Sequence, residues 1–292
     1  MNNRNWLNLA LLLLVGALVL LVIYQPGQDS AENQMKVLTG LTDQEVKRIR
    51  IESAGQAPIT LERRGQDWWL TAPRELRVSE FKVANILKLT GTKSHAHYPV
   101  ATMNLALIKL EPPLARLWLN EREIAFGDLN PLAYQRYLKT DDQVHLITDS
   151  LFHHISGAYT EFVSTELLPP QSSIERIVLP DTTLAMADGK WQLTPAREQV
   201  SADSLQALAD EWRHVRALEV QDADPASHPV PKQSVEIFLR GSAAPIHFDI
   251  LATDPELILR NPELGLQYHL SSGSYARLIT LAASPEPADQ AR

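Results

Sequence analysis

The sequence predicts an α+β protein: an N-terminal transmembrane helix followed by two tandem copies of a domain that combines an antiparallel sheet with helices. Three observations predict it. Residues 9–23 form an apolar run without a charge. Matching segments recur in the same order about 120 residues apart, as in "DWWLTAP" at 67–73 and "KWQLTP" at 190–195. Short stretches with period-two alternation also follow one another in runs. That pattern belongs to antiparallel sheets with segregated helices.

The anchor comes first. Residues 6–24 run from Trp6 to Tyr24, interrupted only by Asn8. As a helix they span ~28 Å, close to the ~30 Å hydrocarbon core. Within 9–23, eight Leu, three Val and one Ile contribute roughly −5 kcal/mol towards insertion. Trp6 and Tyr24 stand where an aromatic belt belongs. A cleaved signal peptide would need a small-residue site after the apolar run, and "YQPGQDSAENQ" offers none. Arg4 precedes the run, whereas Asp29 and Glu32 follow it, so the expected topology is a cytoplasmic N-terminus and a periplasmic bulk in the inner membrane. Residues 25–34 read as a tether, and the first segment as 1–36.

The body divides into copy one at 37–168 and copy two at 169–283, with the boundary at "LLPPQSS" (167–173). A polar, Pro-rich tail at 284–292 is expected to be disordered. Arg48/Arg176, Ile49/Ile177, Trp69/Trp191, Pro73/Pro195, Ser79/Ser201 and His145/His269 coincide in order. The period is too long for a solenoid. In copy one, strands are expected at 46–51, 58–64, 67–72, 114–120, 122–127, 134–140 and 143–148. A helix follows Ser79. In copy two, Ser201 caps a helix with Leu205, Leu208, Ala209 and Trp212 on one face. Strands follow at 233–240, 245–250, 256–260 and 266–271. Short helices near 149–157 and 273–282 close the copies.

Trp69 and Trp191, each followed by a Pro, read as indoles filling a sheet–helix junction. Trp68 points the other way on its strand and is the candidate for an exposed aromatic contact. Trp69, Pro73, Ser79, His145, Trp191, Pro195, Ser201 and His269 form the repeat signature and read as scaffold.

Composition narrows the function. Hydrophobic residues are 45% and charged residues 21%, normal for packed domains. The net charge of −8 without a basic run argues against nucleic acid. The chain has no cysteine, which removes disulfides and thiolate chemistry. No phosphate loop, dinucleotide fingerprint, zinc-protease motif or nucleophile elbow occurs. His95 and His97 would share a strand face, but no carboxylate or Cys lies beside them to complete a metal site. His153 and His154, neighbours on a helix, point in different directions. "SSGSY" (271–275) lies at a strand-to-helix turn. No catalytic, cofactor-binding or metal-binding residue is nominated, and no cofactor is expected.

The segments "VLTGLTDQEVKRIRIE", "ITLERRGQDWWLTAP" and "RVSEFKVANILKLTGT" behind a membrane helix resemble the bacterial domain-of-unknown-function 4340 family. The shared signature is W-x-L-x-x-P, here Trp68, Leu70 and Pro73. The resemblance covers 37–100 best; in copy two, Trp191 to Pro195 is one residue shorter. It implies an accessory role beside ABC-type transporter components and carries over no catalytic residue. The expected function is a membrane-anchored scaffold or accessory protein, not an enzyme, that binds a transporter or envelope protein. The alternative is an anchored enzyme or binding protein acting on envelope glycan or lipid in a cleft between the copies.

Overall fold

Alternating apolar residues build two antiparallel sheets. The computed structural model describes residues 6, 11–17, 19, 37–131, 134–197, 199–223, 231 and 233–281. The first sheet contains β1 (Arg48–Ser53), β2 (Ile59–Arg64), β3 (Asp67–Ala72), β4 (Leu76–Arg77), β5 (Ala96–Pro99), β6 (Ala115–Leu119), β7 (Arg122–Asn130), β8 (Gln135–Thr140) and β9 (Gln143–Thr148). Its order is β4-β3-β2-β1-β6-β7-β8-β9-β5. The second contains β10 (Ile174–Val178), β11 (Thr183–Ala187), β12 (Lys190–Thr194), β13 (Glu219–Asp222), β14 (Gln233–Leu239), β15 (Ile246–Ala252), β16 (Leu257–Asn261) and β17 (Leu266–Leu270), in the order β12-β11-β10-β14-β15-β16-β17-β13. With β3 set against β12, the two orders agree strand for strand, and β4 alone lacks a counterpart. This is consistent with a tandem repeat.

Period-two alternation puts one face of each central strand into a core. On β1, Ile49 and Ile51 are buried while Arg48 and Arg50 are exposed. Ile49 faces Leu61 on one side and Leu119 on the other. In the second sheet Ile177 faces Leu184 and Ile237. Helices α1 (Glu80–Leu87) and α2 (Phe152–Ile155) belong to the first copy, α3 (Ala202–His214) and α4 (Ser274–Leu278) to the second. α3 buries Leu205, Leu208, Ala209 and Trp212, and Ser201 caps it by accepting from Ser204 N at 3.2 Å. Trp212 then stacks near Phe248, which meets Tyr268 edge-on with ring centroids 6.1 Å apart. Ser79 occupies the equivalent N-cap of α1, but its side chain makes no cap bond.

The ladders correct the alignment of the tryptophans. Leu61 pairs with Leu70 and Glu62 with Trp69; Leu184 pairs with Leu193 and Ala185 with Gln192. The counterpart of Trp191 is therefore Trp68, not Trp69, and Trp69 corresponds to Gln192. The shorter spacing to Pro195 follows from a bulge: the β2–β3 register shifts between Thr60 and Leu61, so β3 carries one extra residue. Both Pro73 and Pro195 follow cis peptide bonds.

The histidines are corrected in the same way. The β8–β9 hairpin closes at Thr140–Gln143 and the β16–β17 hairpin at Asn261–Leu266. Counted from the closing pair, His145 stands third, and third in β17 is Tyr268. His145 and Tyr268 are both buried, whereas His269 turns to the opposite face.

By contact density the chain forms two compact units: Met1–Thr42, Leu89–Leu114 and Ile124–Asp149 in one, and Asp43–Lys88, Ala115–Glu123 and Ser150–Arg292 in the other. In the smaller unit, Leu110, Ala125 and Val144 form a separate apolar cluster under Val100, Met103, Leu105 and Ile108. The larger unit holds the aromatic core around Trp212.

Among the described residues, no helix is long and apolar enough to cross a membrane. Of the expected span 6–24, the described part is Trp6, residues 11–17 and Val19; the remainder, the tether and the tail at 284–292 lie outside the described residues. Residues 11–17 are helical and exposed.

Candidate functional site

A cavity of about 290 Å³ opens within the larger unit. One wall is Trp69 of β3 with Glu75, Leu76 and Arg77 at β4; a second is segment 163–169; the third comes from β15 and the β16–β17 hairpin, including Ile246, Asn261, Leu264 and Tyr268. Most of this surface is aliphatic or aromatic.

Segment 162–166 fixes the geometry by behaving as a shared strand. Ser79 N donates to Phe162 O at 2.8 Å and Ser164 N to Arg77 O at 2.9 Å. On its other side Ala217 N donates to Thr165 O at 2.8 Å, and Glu166 bridges to Arg216 in both backbone and side chain. Each of these bonds satisfies a backbone group that would otherwise be stranded at a sheet edge.

Arg74 adds a side-chain clamp beside the cavity. Its Nη1 donates to Leu264 O at 3.0 Å, and its Nη2 donates to Asp222 Oδ1 at 2.5 Å and to Tyr159 OH. Tyr159 OH in turn donates to Asp222. Burial, reinforced by that bond to Asp222 and opposed by Arg74, pushes the Tyr159 phenol up to about 12. Gly265 has φ +59°, a left-handed conformation that favours glycine in this hairpin.

The charges around the cavity are unequal in their pairing. Glu75 is held by Arg64 and Glu166 by Arg216, each at 2.6 Å. Arg77 is half-buried, and its guanidinium makes no ion pair or hydrogen bond with a described residue. Glu263 sits exposed on the hairpin. Tyr268 is 3% exposed, its hydroxyl makes no hydrogen bond with a described residue, and burial alone pushes the phenol up to about 12.

The residues singled out in the sequence distribute as follows. Trp68, expected to be the exposed aromatic, is buried at 5%, because it shares a face with Leu70 and Leu61. Trp69 is the half-buried one; it lines the cavity, with Arg64 5.6 Å from its ring. Trp191 is buried beneath α3, while Pro73, Pro195, Ser79 and Ser201 stand at strand exits and helix starts. His145 Nε2 meets Thr140 Oγ1 at 3.0 Å; His269 Nδ1 meets Glu256 Oε1 at 3.0 Å. His95 Nε2 lies 3.0 Å from Thr148 Oγ1, and His97 is paired across the sheet with His145. The rings of His153 and His154 do not diverge but approach to 3.8 Å; burial first, then His153 and two lysines, holds His154 below the usual range. Ser271 and Ser274 are held by Arg277 at 3.3 and 3.1 Å.

The sheets have also diverged at one equivalent place. In the first, Ala125 and Val144 flank Lys139; in the second, Asp249 and Gln267 flank Arg260, with both Arg260 nitrogens on Asp249 Oδ2 at 2.9 and 2.7 Å.

No family model matches the chain, and neither a curated protein nor a solved structure matches it. Arg74, Arg77 and Tyr268 escaped the reading of the sequence. Arg77 and Tyr268 line one cavity from distant parts of the chain, and Arg74 reaches Leu264 across 190 residues; no local spacing announces such contacts.

Proposed function

We propose that the chain is a single-pass membrane-anchored accessory protein, with its N-terminus cytoplasmic and its bulk periplasmic at the inner membrane. Its two tandem copies, 37–168 and 169–283, bind a partner protein in an envelope or ABC-type transport assembly. The observation that carries the reading is the helical stretch 11–17, where Leu11, Leu12, Leu13, Leu14 and Val15 each expose more than half of their surface. Five such side chains in water forgo several kcal/mol of burial, which an apolar bilayer restores. The transport setting rests on the resemblance to the 4340 family. A C-terminal reporter that matures only outside the cytoplasm tests the topology and is expected to be active. Purification in mild detergent is expected to recover a partner. Activity of a cytoplasm-only reporter, or recovery of a free monomer under conditions that preserve other membrane complexes, overturns the proposal.

A second reading is favoured by the cavity: the body holds a small envelope molecule there. The apolar walls, with Arg77 and Tyr268 among the polar residues that line them, support it.

A further inference from the structure

The cavity beside β4 is a binding site for a small monocarboxylate with an apolar body, the class of a medium-chain fatty acid; we infer this from its size, its unpaired cation and its unpaired phenol. The inference rests on the second reading above, in which the body binds a small molecule.

Size comes first. About 290 Å³ holds roughly ten heavy atoms at ~30 Å³ each, a water's share of the liquid. It lies at the small end of ligand pockets. The walls at Trp69, Leu76, Leu168 and Ile246 demand an apolar body.

The polar end is set by two groups. Arg77 reaches the cavity without an ion pair among the described residues. The planar fork of its guanidinium matches a carboxylate. Tyr268 brings a phenol that is a neutral donor throughout the physiological range. That hydroxyl makes no hydrogen bond with a described residue, and a carboxylate oxygen would accept from it.

The surrounding carboxylates restrict the charge of the ligand. Glu75 and Glu166 also line the cavity, each neutralised by its own arginine, and Glu263 stands at its edge. Arg77 offers one positive charge against Glu263, so a ligand with a single negative charge adds the least repulsion. A phosphomonoester dianion would leave an excess charge facing three carboxylates.

The test uses the full chain in lipid nanodiscs, dialysed to equilibrium against radiolabelled octanoate, with empty nanodiscs as the blank. Saturable binding is expected above the blank, with octylammonium at least tenfold weaker. Arg77→Gln is expected to weaken octanoate at least tenfold, the loss of a charge-assisted hydrogen bond, while octan-1-ol binding stays within threefold. Arg77→Lys keeps the charge without the fork and is expected to fall between. Tyr268→Phe is expected to weaken octanoate threefold or more. Equal binding of octanol and octanoate, or unchanged octanoate affinity in both Arg77 variants, overturns the carboxylate assignment and leaves the second reading standing. Binding of neither octanoate nor octanol overturns both.

Discussion

Trp212 and Trp191 are both buried indoles of the second copy, yet their ring nitrogens meet different surroundings. Trp212 is fully buried and its Nε1 donates to Leu278 O at 2.8 Å, tying α3 to α4. Trp191 is 7% exposed, and its Nε1 has no hydrogen-bond partner among the described residues. Trp212→Phe removes a bond, strands a carbonyl and leaves a void, so it is expected to destabilise by about 2–4 kcal/mol. Trp191→Phe loses volume but also removes an unsatisfied donor, and is expected to cost under about 1 kcal/mol. Urea denaturation of the two variants side by side checks the difference; equal losses would contradict it. The role of Trp191 as a core anchor was legible in the sequence, because a large indole near a helix start rarely has anywhere else to go. Which tryptophan of the first copy matched it was not. That answer depends on a bulge, and one inserted residue exchanges the two faces of β3.

Strands declared themselves wherever alternation is local. The segment 67–72 was legible to the residue, and most others fell within one or two residues of the observed ends, the usual scatter of element boundaries. β5 and its counterpart β13 were missed, and no range was set for β10, β11 or β12. "AHYP" and "EVQD" carry little alternation, and each becomes a strand only because the chain returns to pair with β9 or β17. β4 was missed for the same reason: two residues pair with β3, and Arg77 O then accepts from Ser164 N. Element-scale packing also makes Gly127 irreplaceable. It lies in β7 where the register shifts, and Asp128 N donates to Ile108 O at 2.8 Å, drawing the 105–110 loop against the strand. A Cβ at Gly127 would stand 2.4 Å from Ile108 O and 2.9 Å from Leu110 Cγ. Gly127→Ala is expected to destabilise by about 1–3 kcal/mol, because a backbone oxygen cannot step aside as a flexible side chain can. A reduced denaturation midpoint, with hydrogen exchange quickened first in 105–110, is the measurement. An unchanged midpoint would mean that the loop does not lie against β7.

For the whole chain, duplication appears as one strand order used twice and its consequences as differences between the uses. Where the first sheet places Ala125 and Val144 under an apolar loop, the second places Asp249 and Gln267 in a polar row. The larger unit also gathers two phenols whose proton affinity is raised, and this links its stability to alkaline pH. Tyr159 and Tyr268 are each pushed from near 10 to about 12, chiefly by burial. Between those limits the folded chain keeps protons that the unfolded chain releases. Their contribution is therefore full below about pH 10, declines as pH rises and is gone above about 12. For Tyr268 the change corresponds to about 2–3 kcal/mol; Tyr159 is more exposed, so solvent screens its share. The midpoint of urea unfolding is expected to fall between about pH 10 and 12 more steeply than ordinary tyrosines require. Tyr268→Phe removes one of the two groups and should flatten that slope markedly while leaving the other tyrosines to titrate. A slope unchanged in Tyr268→Phe would mean that burial does not raise this phenol in the folded chain.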